Sequence, residues 1–241
     1  MKTILVKDKK EASKIAAEII CKEINKKRDL VLGLATGKTM IPVYKEITKL
    51  SKRQKIDFRE VKTFNLDEYL GLNEKDKESF KTFMNKNLFG KINIQEKNIN
   101  FLDGKNKGIK KECKDYENKI KKLGGIDLQI LGIGKNGHIA FNEPESSFSS
   151  VTRKVKLTDQ TRKDDSIFFK DKKTPEYALT VGLKTIMNSK KIMLIALGKE
   201  KTEIVKRFFQ TKITKKVPAT ILKKHKDFTF IIDKEAYKGM K

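Results

Sequence analysis

Short apolar runs alternate with longer stretches of helical periodicity along this chain, and the pattern predicts an α/β fold. Five apolar runs have the length and composition of strands: Leu30–Leu34, Lys62–Asn65, Leu128–Gly132, Ile192–Leu197 and Phe228–Ile232. Amphipathic stretches predict helices at Lys10–Asn25, Ile41–Leu50, Ser79–Phe89, Ile109–Lys122 and Lys201–Phe209. Several of the strand runs are continuously apolar, as parallel strands covered on both faces are. We therefore predict an open, mainly parallel sheet with helices on both faces.

The organisation of the chain indicates a single domain over residues 1–241. No repeat, low-complexity tract or flexible linker divides it, and the length suits one large α/β domain. The opening apolar run is too short for a secretory signal, and no run reaches the ~20 residues of a membrane span. We expect a cytoplasmic protein without membrane contact, in which Cys21 and Cys113 are reduced structural thiols.

The net charge of +25 raises the alternative of a nucleic-acid-binding protein. Lysine and arginine total 56 residues, but only six are arginine, and the lysines are scattered through nearly every segment. Base recognition relies on the planar guanidinium group, which this chain rarely uses. We therefore favour a solvated lysine surface and expect no nucleic-acid partner, although the charge would still attract anionic substrates.

Ligands of such folds bind at the carboxyl ends of the strands, where this chain places glycine-rich and polar segments. The first is Gly-Leu-Ala-Thr-Gly-Lys-Thr at 33–39, between a strand and a helix. A nucleotide-binding P-loop would need glycine at position 32, which is Leu32. The shorter loop suits a single phosphate at a helix N-terminus, and the alternative is an ordinary turn that uses Gly37 for a positive φ.

Two further strand ends carry candidate catalytic groups. The second strand ends in Asp67 and Glu68, whose side chains must point to opposite sides, so only one can serve a site. The third runs into a glycine-rich turn with His138 and Glu143, a pairing suited to proton transfer. The other histidine, His225, lies among lysines, and we interpret it as a surface residue.

Together these segments resemble the glucosamine-6-phosphate deaminase family. The similarity includes Leu-Gly-Leu-Ala-Thr-Gly-Lys-Thr at 32–39, Thr-Phe-Asn-Leu-Asp-Glu-Tyr-Leu-Gly-Leu at 63–72 and Gly-His-Ile-Ala-Phe-Asn-Glu-Pro at 137–144. It continues through Pro-Glu-Tyr-Ala-Leu-Thr-Val-Gly at 175–182 and Leu-Gly-Lys-Glu-Lys at 197–201. The resemblance implies a Rossmann-like fold, a small sugar phosphate as substrate, and no metal or organic cofactor. The implied reaction converts glucosamine 6-phosphate and water into fructose 6-phosphate and ammonia.

The resemblance also implies a role for each matching residue. His138 matches the ring-opening group, with Glu143 as its carboxylate partner and Asn136 beside it. Asp67 matches the base that takes the proton from C2 and returns it to C1. The phosphate site corresponds to five residues: Thr36, Gly37, Lys38, Thr39 and Lys201.

Three positions depart from the family pattern. Asn136 stands where some members have aspartate, so we expect it to orient the imidazole without contributing charge, which leaves Glu143 as the main charge partner. Ile167 stands where better-known members have a phosphate-binding arginine, and loss of that bidentate partner should weaken phosphate binding. Lys38 replaces the usual glycine and could restore the charge.

Parts of the same sequence pattern also occur in proteins with other functions. The loops do not decide between glucosamine 6-phosphate and its C4 epimer, so a galactosamine-6-phosphate deaminase-isomerase stays an alternative, whereas the related lactonases have Gly-His-Thr instead of Gly-His-Ile. A sugar-phosphate sensor in a transcription regulator would need a helix-turn-helix segment, and the first strand signal begins within the opening residues. Ser146 and Arg153 match two effector-binding positions of hexameric members, but the neighbouring basic pair is missing. We expect a monomer or a simple homo-oligomer without strong allostery.

Overall fold

A computed structural model describes residues 1–169 and 172–239 of the chain. Its main feature is a seven-stranded parallel sheet. In spatial order, the strands are β1 (Lys2–Val6), β10 (Phe228–Asp233), β9 (Lys191–Ala196), β6 (Leu128–Gly132), β2 (Val31–Leu34), β3 (Lys62–Asn65) and β5 (Ile99–Asn100). The first strand of the chain therefore pairs with the last, with Lys2 opposite Thr229.

A second, antiparallel sheet of three short strands lies beside the first. Its strands are, in spatial order, β4 (Asp67–Tyr69), β8 (Tyr177–Thr180) and β7 (Arg153–Lys156). Asp67 lies opposite Thr180, so this sheet fixes a candidate catalytic residue. The apolar pattern did not predict it, because its strands are only three or four residues long and two of them, β4 and β7, are largely polar.

Eight α-helices flank the sheets in the described part of the chain: α1 (Lys9–Lys26), α2 (Met40–Gln54), α3 (Phe80–Asn87), α4 (Ile109–Lys122), α5 (Asp159–Asp165), α6 (Leu183–Met187), α7 (Thr202–Gln210) and α8 (Lys234–Tyr237). Helix α1 packs against α2. The side chains of Asp8, Ser79 and Thr158 accept hydrogen bonds from the first turns of α1, α3 and α5, which is the preferred way to begin a helix.

The fold class and the main elements are confirmed. All five predicted strands are present, with ends that agree within one residue. The five predicted helices also form, although α2 continues to Gln54, four residues beyond its predicted end, α3 ends at Asn87, two residues early, and two helix starts differ. Ser79 caps α3 instead of belonging to it, and Lys201 lies in a 3₁₀ turn at Lys199–Lys201 that leads into α7. Glycine at 198 and the absence of a side-chain cap favour this tighter entry.

The core is formed by two apolar clusters. The larger one lies between the parallel sheet and its helices. The smaller one, which we name the aromatic cluster, lies at the small sheet and consists of Tyr69, Phe141, Leu157, Phe169 and Ala178. Phe80 packs against it, and its ring lies 4.7 Å from that of Tyr69. This cluster holds the chain around α5 against β4, and it thereby forms one wall of the candidate site.

The interpretation of His225 as a surface residue is wrong. Its side chain is buried, Nε2 lies 2.8 Å from the carbonyl oxygen of Ser189, and Nδ1 accepts from the N–H of Asp227. Lys224 and Lys226 are exposed while the ring closes the turn before β10, so neighbouring charges were a poor guide to burial. Cys21 and Cys113 are buried free thiols, as predicted. Within the described residues no helix has the length and apolarity to cross a membrane.

Candidate active site

A cavity of about 530 Å³ opens at the carboxyl ends of the central parallel strands. Its walls come from the loops after β2, β3, β6 and β9, together with α5 and the 3₁₀ turn Ser166–Phe168. The location agrees with the prediction, because parallel strands bring their carboxyl ends to one edge of the sheet. Seven of the nine predicted site residues line this cavity: Thr36, Gly37, Lys38, Thr39, Asp67, His138 and Lys201.

The loop from Thr36 to Thr39 forms the end of the cavity at the N-terminus of α2. Gly37 has a φ of +104°, a backbone conformation that favours glycine, and its carbonyl accepts the N–H of Met40 at 3.0 Å. No side chain caps α2. The uncapped end of a 15-residue helix carries partial positive charge and N–H donors, which suits a phosphate group.

Asp67 and Glu68 point in opposite directions, as the strand geometry predicts. Asp67 faces the cavity, whereas the carboxylate of Glu68 accepts from the N–H groups of Tyr69, Phe80 and Lys81 at 2.9, 3.1 and 3.2 Å. Glu68 therefore holds the beginning of α3. Burial raises the pKa of Glu68 to about 7, although these three hydrogen bonds oppose the increase.

Burial makes Asp67 a stronger base than an exposed aspartate. It raises the pKa of the Asp67 carboxyl well above its ordinary value, and the negative charges of Glu68 and Asp165 raise it further. The carboxylate has no compensating cation within 4 Å in the described part of the chain. A carboxylate with a raised pKa is suited to accept a proton from carbon and return it.

The loop after β6 carries the other predicted catalytic groups. The N–H of Gly134 bonds to the carbonyl of His138 at 2.9 Å, which closes the loop. A side chain at 134 would place its Cβ within 2.3 Å of the imidazole, so glycine is required for the ring to lie where it does. His138 lines the cavity, while Asn136 and Glu143 lie behind it, outside the lining.

Glu143 and Asn136 form a small network around His138. Nδ1 of His138 lies 3.5 Å from Oε2 of Glu143, and Asn136 Nδ2 donates to that same oxygen at 2.7 Å. The Asn136 Oδ1 accepts from the backbone N–H of His138 at 3.1 Å. Asn136 thus contacts the imidazole only through Glu143 and the His138 backbone among the described residues.

The carboxyl group of Glu143 is ionised near neutral pH. Burial would raise the pKa of its carboxyl, but the hydrogen bond and charge of His138 and the bonds from Thr161 and Asn136 lower it to about 2. The carboxylate therefore supplies a fixed negative charge behind the imidazole. An imidazole that is oriented by a carboxylate is suited to general acid–base catalysis.

Lys201 and Lys38 supply positive charge near the α2 loop. Lys201 is half-buried, and burial lowers the pKa of its ammonium group. Lys38 is exposed at the cavity rim. Ile167 lies on the rim as well, with about half its surface in solvent (52%), so the position of the missing arginine faces the cavity.

Helix α5 contributes residues that the sequence did not reveal. Thr161 Oγ1 lies 3.4 Å from Nδ1 of His138, and Lys135 pairs with Asp164 at 3.1 Å. Asp165 also lines the cavity, and its Oδ2 accepts from the hydroxyl of Tyr69 at 2.8 Å. The segment is polar and seven residues long, so its pattern gave no sign that it faces a site.

Ser146 and Arg153 lie outside the cavity lining and contact each other. The guanidinium of Arg153 donates to Asn142 Oδ1 at 2.9 Å and to Ser146 Oγ at 3.3 Å. Burial lowers the pKa of this guanidinium. Arg153 therefore holds the chain that follows Glu143.

Comparison with known proteins finds relatives that match nearly the whole chain. The family model of glucosamine-6-phosphate isomerases and 6-phosphogluconolactonase matches residues 7–231. A glucosamine-6-phosphate deaminase of Clostridium botulinum (strain Kyoto / Type A2) is 50% identical over 237 residues, which are 98% of this chain and 97% of the relative. The solved structure of a monomeric glucosamine-6-phosphate deaminase matches with a TM-score of 0.95 at 39% identity, covering 98% of each chain. The 6-phosphogluconolactonase of Thermotoga maritima shares the fold, with a TM-score of 0.77 at 21% identity over 97% of this chain and 99% of that one.

Proposed function

The chain belongs to the family of glucosamine-6-phosphate isomerases and 6-phosphogluconolactonases, and we propose that it acts as a glucosamine-6-phosphate deaminase in amino-sugar catabolism. It converts glucosamine 6-phosphate and water into fructose 6-phosphate and ammonia. One observation carries the proposal: a buried carboxylate, Asp67, and an imidazole, His138, face the same cavity, which the uncapped N-terminus of α2 borders. Identity of 50% to a deaminase over nearly the whole chain supports it.

Phosphate binding fixes the substrate at one end of the cavity. The loop Thr36–Thr39, with its N–H groups, and Lys201, with its ammonium group, line the same cavity. Phosphate oxygens would bond to these donors and interact favourably with the dipole of α2. The sugar then extends from this end toward Asp67 and His138.

Ring opening is assigned to His138. The cyclic substrate must lose the proton of its C1 hydroxyl and gain one on the ring oxygen before the aldehyde forms. An imidazole can perform both transfers near neutral pH. Glu143, ionised behind the ring, stabilises the protonated form, and Asn136 and Thr161 hold the carboxylate and the ring in place.

Isomerisation and deamination are assigned to Asp67. Its carboxylate takes the proton from C2 of the open-chain aldehyde while the C1 oxygen gains the proton that the C2 ammonium gives up, which gives an enolamine with the double bond between C1 and C2. The same group returns the proton to C1, leaving an iminium at C2. Water then adds to C2 and ammonia leaves, which gives the ketose. The raised pKa of Asp67 makes it effective in both transfers.

Substrate assays test the proposal directly. The protein is incubated separately with glucosamine 6-phosphate, galactosamine 6-phosphate and 6-phosphogluconolactone, and ammonia, ketose and acid are measured. We expect ammonia and fructose 6-phosphate in equal amounts from the first substrate. Turnover of galactosamine 6-phosphate alone would assign the enzyme to the C4 epimer. Absence of ammonia from both amino sugars would contradict the proposal.

We further propose that the enzyme works as a monomer in the cytoplasm. Two observations support this: the similar solved deaminase is monomeric, and Arg153 is engaged with Asn142 and Ser146 of its own chain. Light scattering with size-exclusion chromatography should give a mass near 27.8 kDa. A mass that is a multiple of this value, independent of concentration, would contradict the monomer.

A further inference from the structure

Tyr69 connects the candidate base to an acidic residue on the covering helix. In β4, Asp67 and Tyr69 are two residues apart, so their side chains lie on the same side of the strand. The Tyr69 ring is buried in the aromatic cluster, and its hydroxyl donates to Asp165 Oδ2 at 2.8 Å. This hydrogen bond fixes the Asp165 carboxylate in the same cavity as Asp67.

Asp165 differs from its neighbour Asp164 because, in the described part of the chain, no basic side chain matches its charge. The neighbouring Asp164 pairs with Lys135 at 3.1 Å and also accepts from Gln160. Within residues 1–169 and 172–239, the hydrogen bond from Tyr69 is the only one to the Asp165 side chain, and no basic nitrogen lies within 4 Å. Removing an unmatched carboxylate from bulk water costs free energy, so a cation in the cavity would be attracted to it.

We propose that Asp165, held by Tyr69, binds the C2 ammonium group of the amino-sugar substrate and so distinguishes amino sugars from hydroxy sugars. The inference rests on the proposed deaminase function. The proton that Asp67 removes and the ammonium group are bonded to the same carbon. Asp165 lines the same cavity as Asp67, and its charge raises the pKa of that base. In the bound substrate the nitrogen would then face Asp165 in a charge-assisted hydrogen bond.

The chemistry of the competing ligands makes this contact selective. At pH 6.5 the substrate nitrogen is an ammonium with three donors, whereas glucose 6-phosphate has a neutral hydroxyl at C2. The lysines that surround the phosphate end would repel an ammonium, so a carboxylate near C2 is needed to offset them. Asp165 supplies that charge and leaves Asp67 free for proton transfer.

Two unreactive open-chain ligands isolate the contact. Glucitol 6-phosphate and 2-amino-2-deoxyglucitol 6-phosphate differ only at C2, and calorimetry at pH 6.5 gives their dissociation constants. We expect the wild type to prefer the amino ligand at least about tenfold, as a charge-assisted hydrogen bond would give. In Asp165→Asn, whose amide oxygen can still accept from Tyr69, that preference should fall about 10- to 100-fold. Binding of the hydroxy ligand should stay within about twofold.

Controls separate recognition from structure. Asp164→Asn removes the adjacent, ion-paired acid and should retain the preference for the amino ligand. An equal loss for both ligands in Asp165→Asn would reduce Asp165 to a structural residue, and an unchanged preference would also overturn the inference. Failure of the wild type to release ammonia from glucosamine 6-phosphate would instead contradict the proposed function, so the two failures are distinguishable.

Discussion

Asn136 donates a hydrogen bond of 2.7 Å to the same oxygen of Glu143 that lies 3.5 Å from the His138 imidazole. One carboxylate oxygen of Glu143 is thus close to both the Asn136 amide and the His138 ring. Because the amide is neutral, the negative charge behind His138 comes from Glu143 alone. Asn136 therefore helps to fix the position of the Glu143 carboxylate and adds no charge of its own.

Loss of the Glu143 charge should slow ring opening. In Glu143→Gln we expect kcat/KM for glucosamine 6-phosphate to fall about 100-fold, within the range for general acid–base catalysis. Because the pKa of Glu143 is about 2, the carboxylate is ionised from pH 5 to 9, and the loss of activity should be present throughout that range. Binding of 2-amino-2-deoxyglucitol 6-phosphate, which needs no ring opening, should be unaltered. A weaker complex with this ligand would indicate a binding role instead.

Asp67→Asn should abolish turnover while substrate binding is retained. The amide has nearly the same shape but cannot accept the C2 proton, so we expect kcat to fall at least about 1,000-fold. Exchange of the C2 proton with solvent deuterium, followed by NMR, should stop as well. The neighbouring Glu68→Gln, whose side chain faces away from the cavity, is the matched control and should still release ammonia. Retained turnover in Asp67→Asn would remove Asp67 from its role.

The acid side of the pH–rate profile should report Asp67. Because its pKa is raised, kcat/KM should decrease as the pH falls through a value well above 3.8. Asp165 contributes to this increase by charge, so Asp165→Asn should lower the pKa of Asp67 and move the acid limb to lower pH. A shift to higher pH would contradict the assignment of the limb.

Lys38 should compensate for the arginine that is absent at Ile167. In Lys38→Gly we expect KM for glucosamine 6-phosphate to rise about tenfold, since one charged phosphate contact is lost. Adding Ile167→Arg to this variant should restore KM, because position 167 lies on the rim of the same cavity. An unaltered KM in Lys38→Gly would show that this lysine is only solvated.

Glu68 should make stability decrease with rising pH. Its pKa is 4.5 ordinarily and about 7 in the folded protein, so the native state binds more protons between these values. This contribution is complete below pH 4.5 and is lost as the pH rises through 7. Relative to Glu68→Gln, wild-type stability should fall by on the order of 3 kcal/mol across this window. Urea unfolding at several pH values measures it, with the exposed Glu60→Gln as control.

Residues at the strand ends could be found from sequence, whereas residues on the covering helix could not. Asp67 and His138 follow segments that the sequence pattern identifies as strands, so their position at the edge of the sheet was predictable. Asp165 faces the cavity because of a contact with Tyr69, 96 positions earlier in the chain. His225 was misread for a similar reason, since its burial depends on the carbonyl of Ser189 rather than on its neighbours in sequence.

The pairing of β1 with β10 has a consequence for synthesis. As the chain leaves the ribosome, its first strand has no neighbour in the main sheet until residues 228–233 emerge. The loop that carries His138 also lacks one of its contacts until residue 219 emerges, because the carbonyl of Gly137 accepts the N–H of Ala219. A nascent chain that stalls before residue 219 contains every candidate catalytic residue but lacks contacts that hold them in place. Such a truncated product should be inactive and prone to capture by chaperones.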